Sequence, residues 1–217
     1  MNIEQARFNM IEQQIRPWEV IDPQVLDLLF VVKREDFTPP AYRALAFADM
    51  EIPIGHGQAM LAPKIEAKLL QELAVGKGER VLEIGTGSGY MAALLAARAG
   101  EVISLEIQPG LADQARRNLE AAGIATVRVE VANGATGWPQ SGPYDAIVLS
   151  GAVTQIPVEI LAQLRVGGRL AAVVGEAPVM TAQLVTCEAE GVFHTVNFFE
   201  TVIPPLSGMQ PRDPFDF

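Results

Sequence analysis

The chain has 217 residues, long enough to bury a substantial core without disulfides or metals, and its 49% hydrophobic and 19% charged content lies far from the signature of disorder. Asp and Glu (26) outnumber Lys and Arg (16), and the resulting net charge of -10 argues against a surface that neutralises phosphates, so no nucleic-acid partner is expected. A single cysteine, Cys187, and two histidines, His56 and His194, exclude an internal disulfide and a Cys-rich metal site, so no metal is expected.

From Met1 to about Ile54 the pattern is helical. Phe8, Ile11 and Ile15 recur at helical spacing, and Val25, Leu28, Leu29 and Val32 do so after Asp22-Pro23, an N-cap and first-turn pair, so two helices are predicted. Thr38-Pro39-Pro40 and Ile52-Pro53-Ile54-Gly55 mark extended or loop structure. The first residues lack a signal-peptide pattern, and no apolar stretch approaches the roughly 18 residues of a membrane span, so a cytoplasmic protein without a membrane partner is expected.

From Pro63 to Gly175, apolar runs alternate with amphipathic stretches. A helical stripe through Ile65, Leu69, Leu70 and Leu73 ends at Gly76. Strand 81–84, a helix from Met91 to Ala97 and strand 102–106 make a βαβ unit. The alternation continues with a helix over 112–122, a strand over 127–131, a strand over 146–149, a helix over 158–164 and a strand over 170–174. Continuous apolar strands separated by helices indicate a parallel sheet covered on both faces. Segments 183–187 and 192–202, joined around Glu190-Gly191, read as an antiparallel edge hairpin. The predicted organisation is an N-terminal helical extension with a loop (1–62) and an α/β core (63–217), forming one compact domain overall.

Glu83-Ile84-Gly85-Thr86-Gly87-Ser88-Gly89-Tyr90 follows a strand and opens a helix. Its glycines allow a sharp turn and close approach to a ligand, and the helix N-terminus offers free N–H groups. A dinucleotide fingerprint needs its third glycine at position 90, where Tyr stands; here it comes at Gly89. Glu106, at the end of the next strand, is placed to accept hydrogen bonds from ribose hydroxyls. Ser150, Gly151 and Glu176 also follow strand ends, although Glu176 has the alternative of capping a loop.

Val-Leu-Glu-Ile-Gly-Thr-Gly-Ser-Gly-Tyr (81–90) resembles motif I of the class I S-adenosylmethionine-dependent methyltransferases, and more narrowly of the protein-L-isoaspartate O-methyltransferases. Ile52 to Gln58, Asn133 to Trp138, Pro143 to Ile147, Leu164 to Leu170, Arg34 to Phe37 and Ile203 to Leu206 follow that family's order, so the similarity covers about Phe8 to Leu206. The resemblance implies a Rossmann-like, mostly parallel seven-stranded sheet with helices on both faces. It implies S-adenosyl-L-methionine as cofactor and S-adenosyl-L-homocysteine as product. It further implies a cofactor site of Glu83 (near the ammonium), Gly85, Thr86, Gly87, Ser88, Gly89, Glu106 (on the ribose), Ile107, Asn133 and Gly134. The acceptor side would be Ile54, Gly55, Gln58, Ala59, Met60 and Leu61.

Two departures stand out. The family carries Asp in a Gly-Asp-Gly motif at the adenine, whereas this chain reads Ala132-Asn133-Gly134; Asn keeps an acceptor oxygen. Family members read Thr-Ile-Ser after the glutamine, whereas this chain reads Ala59-Met60-Leu61, so both hydroxyls are gone and the family serine position is Leu61. His56 is the one candidate base, with a loop hydrogen-bonding role as its alternative. Trp138 either packs or borders the adenine, and the segment from Pro204 to Phe217 either covers the acceptor site or frays.

The implied reaction is methyl esterification of an isoaspartyl residue in a protein or peptide, the first step in repairing damaged proteins. The loop departure makes weak isoaspartyl turnover the expectation. A paralogue acting on another, small-molecule acceptor, or a cofactor-binding protein without turnover, are the alternatives. A monomer or weak dimer is expected.

Overall fold

A computed structural model describes residues 2–209. Asn2 caps helix α1 (Ile3–Met10), its side chain accepting from the Gln5 N–H at 3.2 Å. The helix runs on through a π-helical turn (Ile11–Ile15) and a 3-10 turn (Arg16–Trp18). The buried stripe is Arg7, Ile11 and Ile15, with Met10, while Phe8 is exposed. Spacing by four suits the wider π turn better than an ideal α-helix, which is why Phe8 falls off the stripe. Helix α2 (Pro23–Val31) starts at Asp22 as predicted and buries Val25, Leu26 and Leu29. Two 3-10 turns follow, at Arg34–Asp36 and Pro40–Leu45.

The segment predicted as extended or loop is a small antiparallel hairpin, strand β1 (Ile52–Gly55) with β2 (Gln58–Met60). Helix α3 (Pro63–Leu73) leads into the alternating core: β3 (Arg80–Ile84), α4 (Tyr90–Ala96), β4 (Glu101–Glu106), α5 (Pro109–Ala121), β5 (Val127–Val131), β6 (Tyr144–Val153), α6 (Val158–Leu161) and β7 (Leu164–Glu176). The long strands β8 (Val179–Ala189) and β9 (Val192–Glu200) close the chain's secondary structure.

The helix predicted over 158–164 is only one turn long. Leu164 pairs with Tyr144 and so begins β7, and the Gln163 side chain is drawn away to the Trp138 N–H (2.7 Å) and the Thr136 carbonyl (2.8 Å). Tertiary pairing overrides the apolar helical pattern there. Strands 146–149 and 170–174 likewise extend in both directions once paired with each other.

The seven-stranded sheet has the order β5-β4-β3-β6-β7-β8-β9, parallel from β5 to β7 and antiparallel beyond. Its residues alternate between two apolar clusters: Val81, Val102, Ala146 and Val148 face one, Leu82, Ile103, Ile147 and Leu149 the other. The first cluster is continuous with Met10, Ile11, Ile15 and Leu29, so the N-terminal extension and the sheet share one core. No helix among the described residues is long and apolar enough to cross a membrane.

Candidate active site

The chain leaves β3, lays down β4 and β5 to one side, and returns to put β6 on the other side of β3. Loops leaving the carboxyl ends of β3 and β6 therefore part in opposite directions and open a crevice, the place where open α/β sheets bind ligands.

The glycine turn forms one wall. Gly85 has φ +98°, and a Cβ on it would stand 2.6 Å from Leu206 Cδ2, so a side chain here would collide with the segment that roofs the crevice. Gly89, assigned from sequence to the cofactor, instead packs against α5: a Cβ there would lie 3.3 Å from Ala115 Cβ. It sets helix packing and does not border the crevice. Ser88 lends its carbonyl to Asn118 Nδ2 at 2.9 Å, which ties the turn to the same helix.

Two carboxylates end the adjacent strands in different settings. Glu106 accepts from the Gly87 N–H at 2.8 Å through Oε2 and from the Gln108 N–H at 2.9 Å through Oε1. An ionised carboxylate has about four acceptor positions, so about two stay open toward the crevice. Glu83 is fully buried and accepts from the hydroxyls of Ser104 (2.6 Å) and Ser150 (2.9 Å); Ser104 Oγ also lies 2.5 Å from Thr86 Oγ1. Burial, with the nearby Glu66 and Glu106 adding to it, outweighs the pull of the serine bonds and holds the Glu83 carboxyl up at about 8. A buried carboxylate held by hydroxyls, with no cationic partner, favours a ligand that brings positive charge.

Opposite the glycine turn stands the Ala59-Met60-Leu61 loop. Ile54, Gln58, Ala59 and Leu61 face the crevice, as do Ile107 and Gly134 from the far side. Below the loop a chamber of about 30 Å³ is bounded by Met60 and Leu61 above and by Glu66, Glu83, Tyr90 and Ser150. The Tyr90 hydroxyl is buried without a hydrogen-bond partner. Arg34 binds the loop from behind, donating from Nη2 to the Leu61 carbonyl (2.6 Å), from Nε to the Ala46 carbonyl (3.0 Å) and from Nη1 to Glu66. Burial raises the Glu66 carboxyl to about 7 against the pull of Arg34.

The roof comes from the last described segment. Pro204 to Ser207 crosses the crevice, pinned by the Ala152 N–H to the Pro204 carbonyl (2.9 Å) and the Leu206 N–H to the Ala152 carbonyl (2.8 Å). Gln58 Nε2 donates to Ser207 Oγ at 2.9 Å and joins the roof to the hairpin. Residues 210–217, the remainder of the segment read as a cover or a frayed end, lie outside the described residues.

Met60, Glu83, Thr86 and Ser88 line the chamber, and besides Gly89 three further sequence candidates border neither cavity. His56 is exposed at the hairpin tip with φ +53°, its ring beside Gly110 at the start of α5. A tight hairpin turn directs it away from the reacting centre, so it is not placed as a base. Gly55 is exposed beside it. Asn133 is exposed and uses Oδ1 to cap the following turn, accepting from the Ala135 N–H at 3.0 Å, while its neighbour Gly134 faces the crevice. The sequence reading missed Arg34, Glu66, Ser104 and the Tyr90 hydroxyl. The available signal was Ser104, a hydroxyl inside an otherwise apolar strand.

Comparison with known proteins matches residues 5–209 to the family model of protein-L-isoaspartate(D-aspartate) O-methyltransferase. The chain is 40% identical over 204 residues to a protein-L-isoaspartate O-methyltransferase of Gloeobacter violaceus, covering 94% of this chain and 100% of that one. It is 47% identical over 169 residues to protein-L-isoaspartate O-methyltransferase 1 of Rhodopseudomonas palustris, covering 78% and 69%. Among solved structures, a protein assigned as the Plasmodium falciparum enzyme, in complex with S-adenosyl-L-homocysteine, superposes with a TM-score of 0.81 over 95% of this chain and 99% of that one at 19% identity, a likeness of fold.

Proposed function

The chain belongs to the protein-L-isoaspartate(D-aspartate) O-methyltransferase family, and from that premise we propose that its crevice binds S-adenosylmethionine and esterifies the free carboxylate of an isoaspartyl residue in a protein or peptide. The observation that carries the site assignment is the contrast between the two strand-end carboxylates. Glu106, anchored by the turn and with acceptor positions open, suits a ribose diol; Glu83, buried without a cation, suits an ammonium. Ile107 and Gly134 form the adenine side.

The cofactor supplies a methyl group on a sulfonium, and its transfer to a carboxylate oxygen leaves a neutral thioether with no proton to move. The acceptor is already ionised at neutral pH, since the main chain of an isoaspartyl residue runs through its side-chain carboxyl and the α-carboxyl left free titrates near about 3.5. The chain therefore has no need of a general base, in accord with His56 lying at the hairpin tip. Its residues bind, align and exclude water: the glycine turn and Glu106 fix one partner, and the 59–61 loop and the 204–207 roof confine the other. The deciding experiment is transfer of labelled methyl from S-adenosylmethionine to an isoaspartyl peptide, read as a base-labile ester. Binding of S-adenosylhomocysteine without any peptide ester would count against this acceptor.

Glu106→Ala removes the ribose acceptors and also frees the Gly87 N–H. It is expected to weaken S-adenosylhomocysteine by about 1–3 kcal/mol, roughly 5- to 150-fold, by calorimetry. Asn133→Asp keeps the cap at Ala135 outside the crevice wall, so affinity is expected to stay within about threefold; a tenfold change, about 1.4 kcal/mol, would show that the side chain at 133 reaches the adenine.

Binding should also depend on pH. The free Glu83 carboxyl, held up to about 8, carries a proton at neutral pH and gives it up when an ammonium arrives. Association of S-adenosylhomocysteine therefore strengthens as pH rises from about 6 to 7.5, by up to about tenfold per unit. Glu83→Gln should flatten the profile. A flat profile in the natural chain would contradict the assignment of Glu83.

A further inference from the structure

Arg34 is 1% exposed, comes from the N-terminal extension, and borders neither the crevice nor the chamber. It nonetheless touches both walls of the chamber from behind. Its guanidinium donates to the backbone carbonyl of Leu61 at 2.6 Å, lies over the Tyr90 ring at 5.2 Å from the centroid, and pairs with Glu66 on the floor. Tyr90 is the first residue of α4, directly after the glycine turn, and Leu61 occupies the family's serine position. A planar group that bonds one wall and stacks on the other fixes the distance between them. A third bond, to the Ala46 carbonyl, and the Thr38 hydroxyl donating to the Arg34 carbonyl at 3.1 Å fix the arginine itself.

Resting on the methyl-transfer reading above, we propose that Arg34 is a positioning residue that sets the gap between the acceptor loop at Leu61 and the glycine turn, and so the alignment of acceptor and methyl group. Misplacement by about 1 Å can cost on the order of a hundredfold in rate without touching the reacting atoms. Lysine preserves the charge facing Glu66 but has neither the fork that reaches Leu61 and Ala46 together nor the plane that stacks on Tyr90.

The test compares Arg34→Lys with Arg7→Lys in the full chain. Arg7 is a matched control: 2% exposed, in the same extension, paired with Glu35 and over the Phe47 ring, with its hydrogen bonds going to Glu4 and Glu35 and not to the loop or α4. For Arg34→Lys, kcat for an isoaspartyl peptide should fall by about 30-fold or more. The Kd for S-adenosylhomocysteine should stay within about threefold, and amide hydrogen exchange over 58–62 should quicken by about tenfold or more. Arg7→Lys should change none of the three beyond about threefold even if it unfolds at lower temperature. Should Arg34→Lys not fold, Arg34→Gln takes its place.

Unchanged loop protection and kcat in a folded Arg34 variant, the same changes in Arg7→Lys, or failure of both Arg34 variants to fold would each overturn the proposal. A natural chain that binds S-adenosylhomocysteine yet esterifies no peptide would instead remove the proposed acceptor, with the exchange comparison still deciding the role of Arg34.

Discussion

Ala59→Thr combined with Leu61→Ser is expected to raise turnover of an isoaspartyl peptide about a hundredfold while leaving S-adenosylhomocysteine affinity unchanged. Ala59 and Leu61 face the crevice opposite the glycine turn, where the family resemblance implies hydroxyls, and neither side chain can hydrogen-bond an acceptor. A carboxylate that is contained but not held samples misaligned poses, and a small displacement is enough to account for two decades in rate. The loop backbone should not shift on substitution, because the Leu61 carbonyl is held by Arg34 and the Gln58 amide by Ser207. The change has a stability cost of about 2 kcal/mol or more, since Leu61 is only 4% exposed and belongs to the core. Rate and stability should thus move in opposite directions, which separates this effect from general improvement of the fold. Family-level turnover by the natural chain, with no gain in the double variant, would show that the missing hydroxyls do not limit it.

Glu35→Leu is expected to lower unfolding stability by about 3–5 kcal/mol in urea, and adding Arg7→Met should restore most of the loss. Arg7 and Glu35 form a buried pair, 2% and 4% exposed, in which Arg7 Nε and Glu35 Oε2 have no partners. Removing the acid leaves a buried guanidinium supported only by Glu4, whose side chain is 73% exposed and whose attraction water screens. Removing both charges leaves an apolar contact between α1 and the following turns, which already pack on Phe47 and Met10. A double variant as unstable as the single one would mean that the pair contributes more than it costs in desolvation.

Most of the sheet was legible because its information is local. Val81 to Ile84 and Val102 to Glu106 are apolar runs with a helix between them, and the Gly-rich turn after the first of them marks where the chain can approach a ligand closely. The single-turn helix at 158–161 was overestimated because Leu164 reads as the end of an apolar helical stripe until Tyr144 pairs with it. The chamber was invisible for a similar reason. Arg34 and Glu66 are 32 residues apart, and nothing near either shows that one is the other's counterion. Asn133 shows the opposite failure: motif order placed it at the adenine, while its side chain is occupied in capping the next turn. Order along the chain transferred the neighbourhood and missed the orientation.

The hydrogen bond from Gln58 to Ser207 spans 149 residues. As the chain leaves the ribosome, the glycine turn, Glu106 and all seven sheet strands are made before the segment that roofs them. A partly synthesised chain ending before Pro204 has the floor and walls of the site without its roof. Stabilisation by ligand grows with concentration over Kd and accrues only to a state that binds. Cofactor binding therefore favours the finished molecule: a chain with its roof in place gains more resistance to heat and proteases from S-adenosylmethionine than one that ends before Pro204.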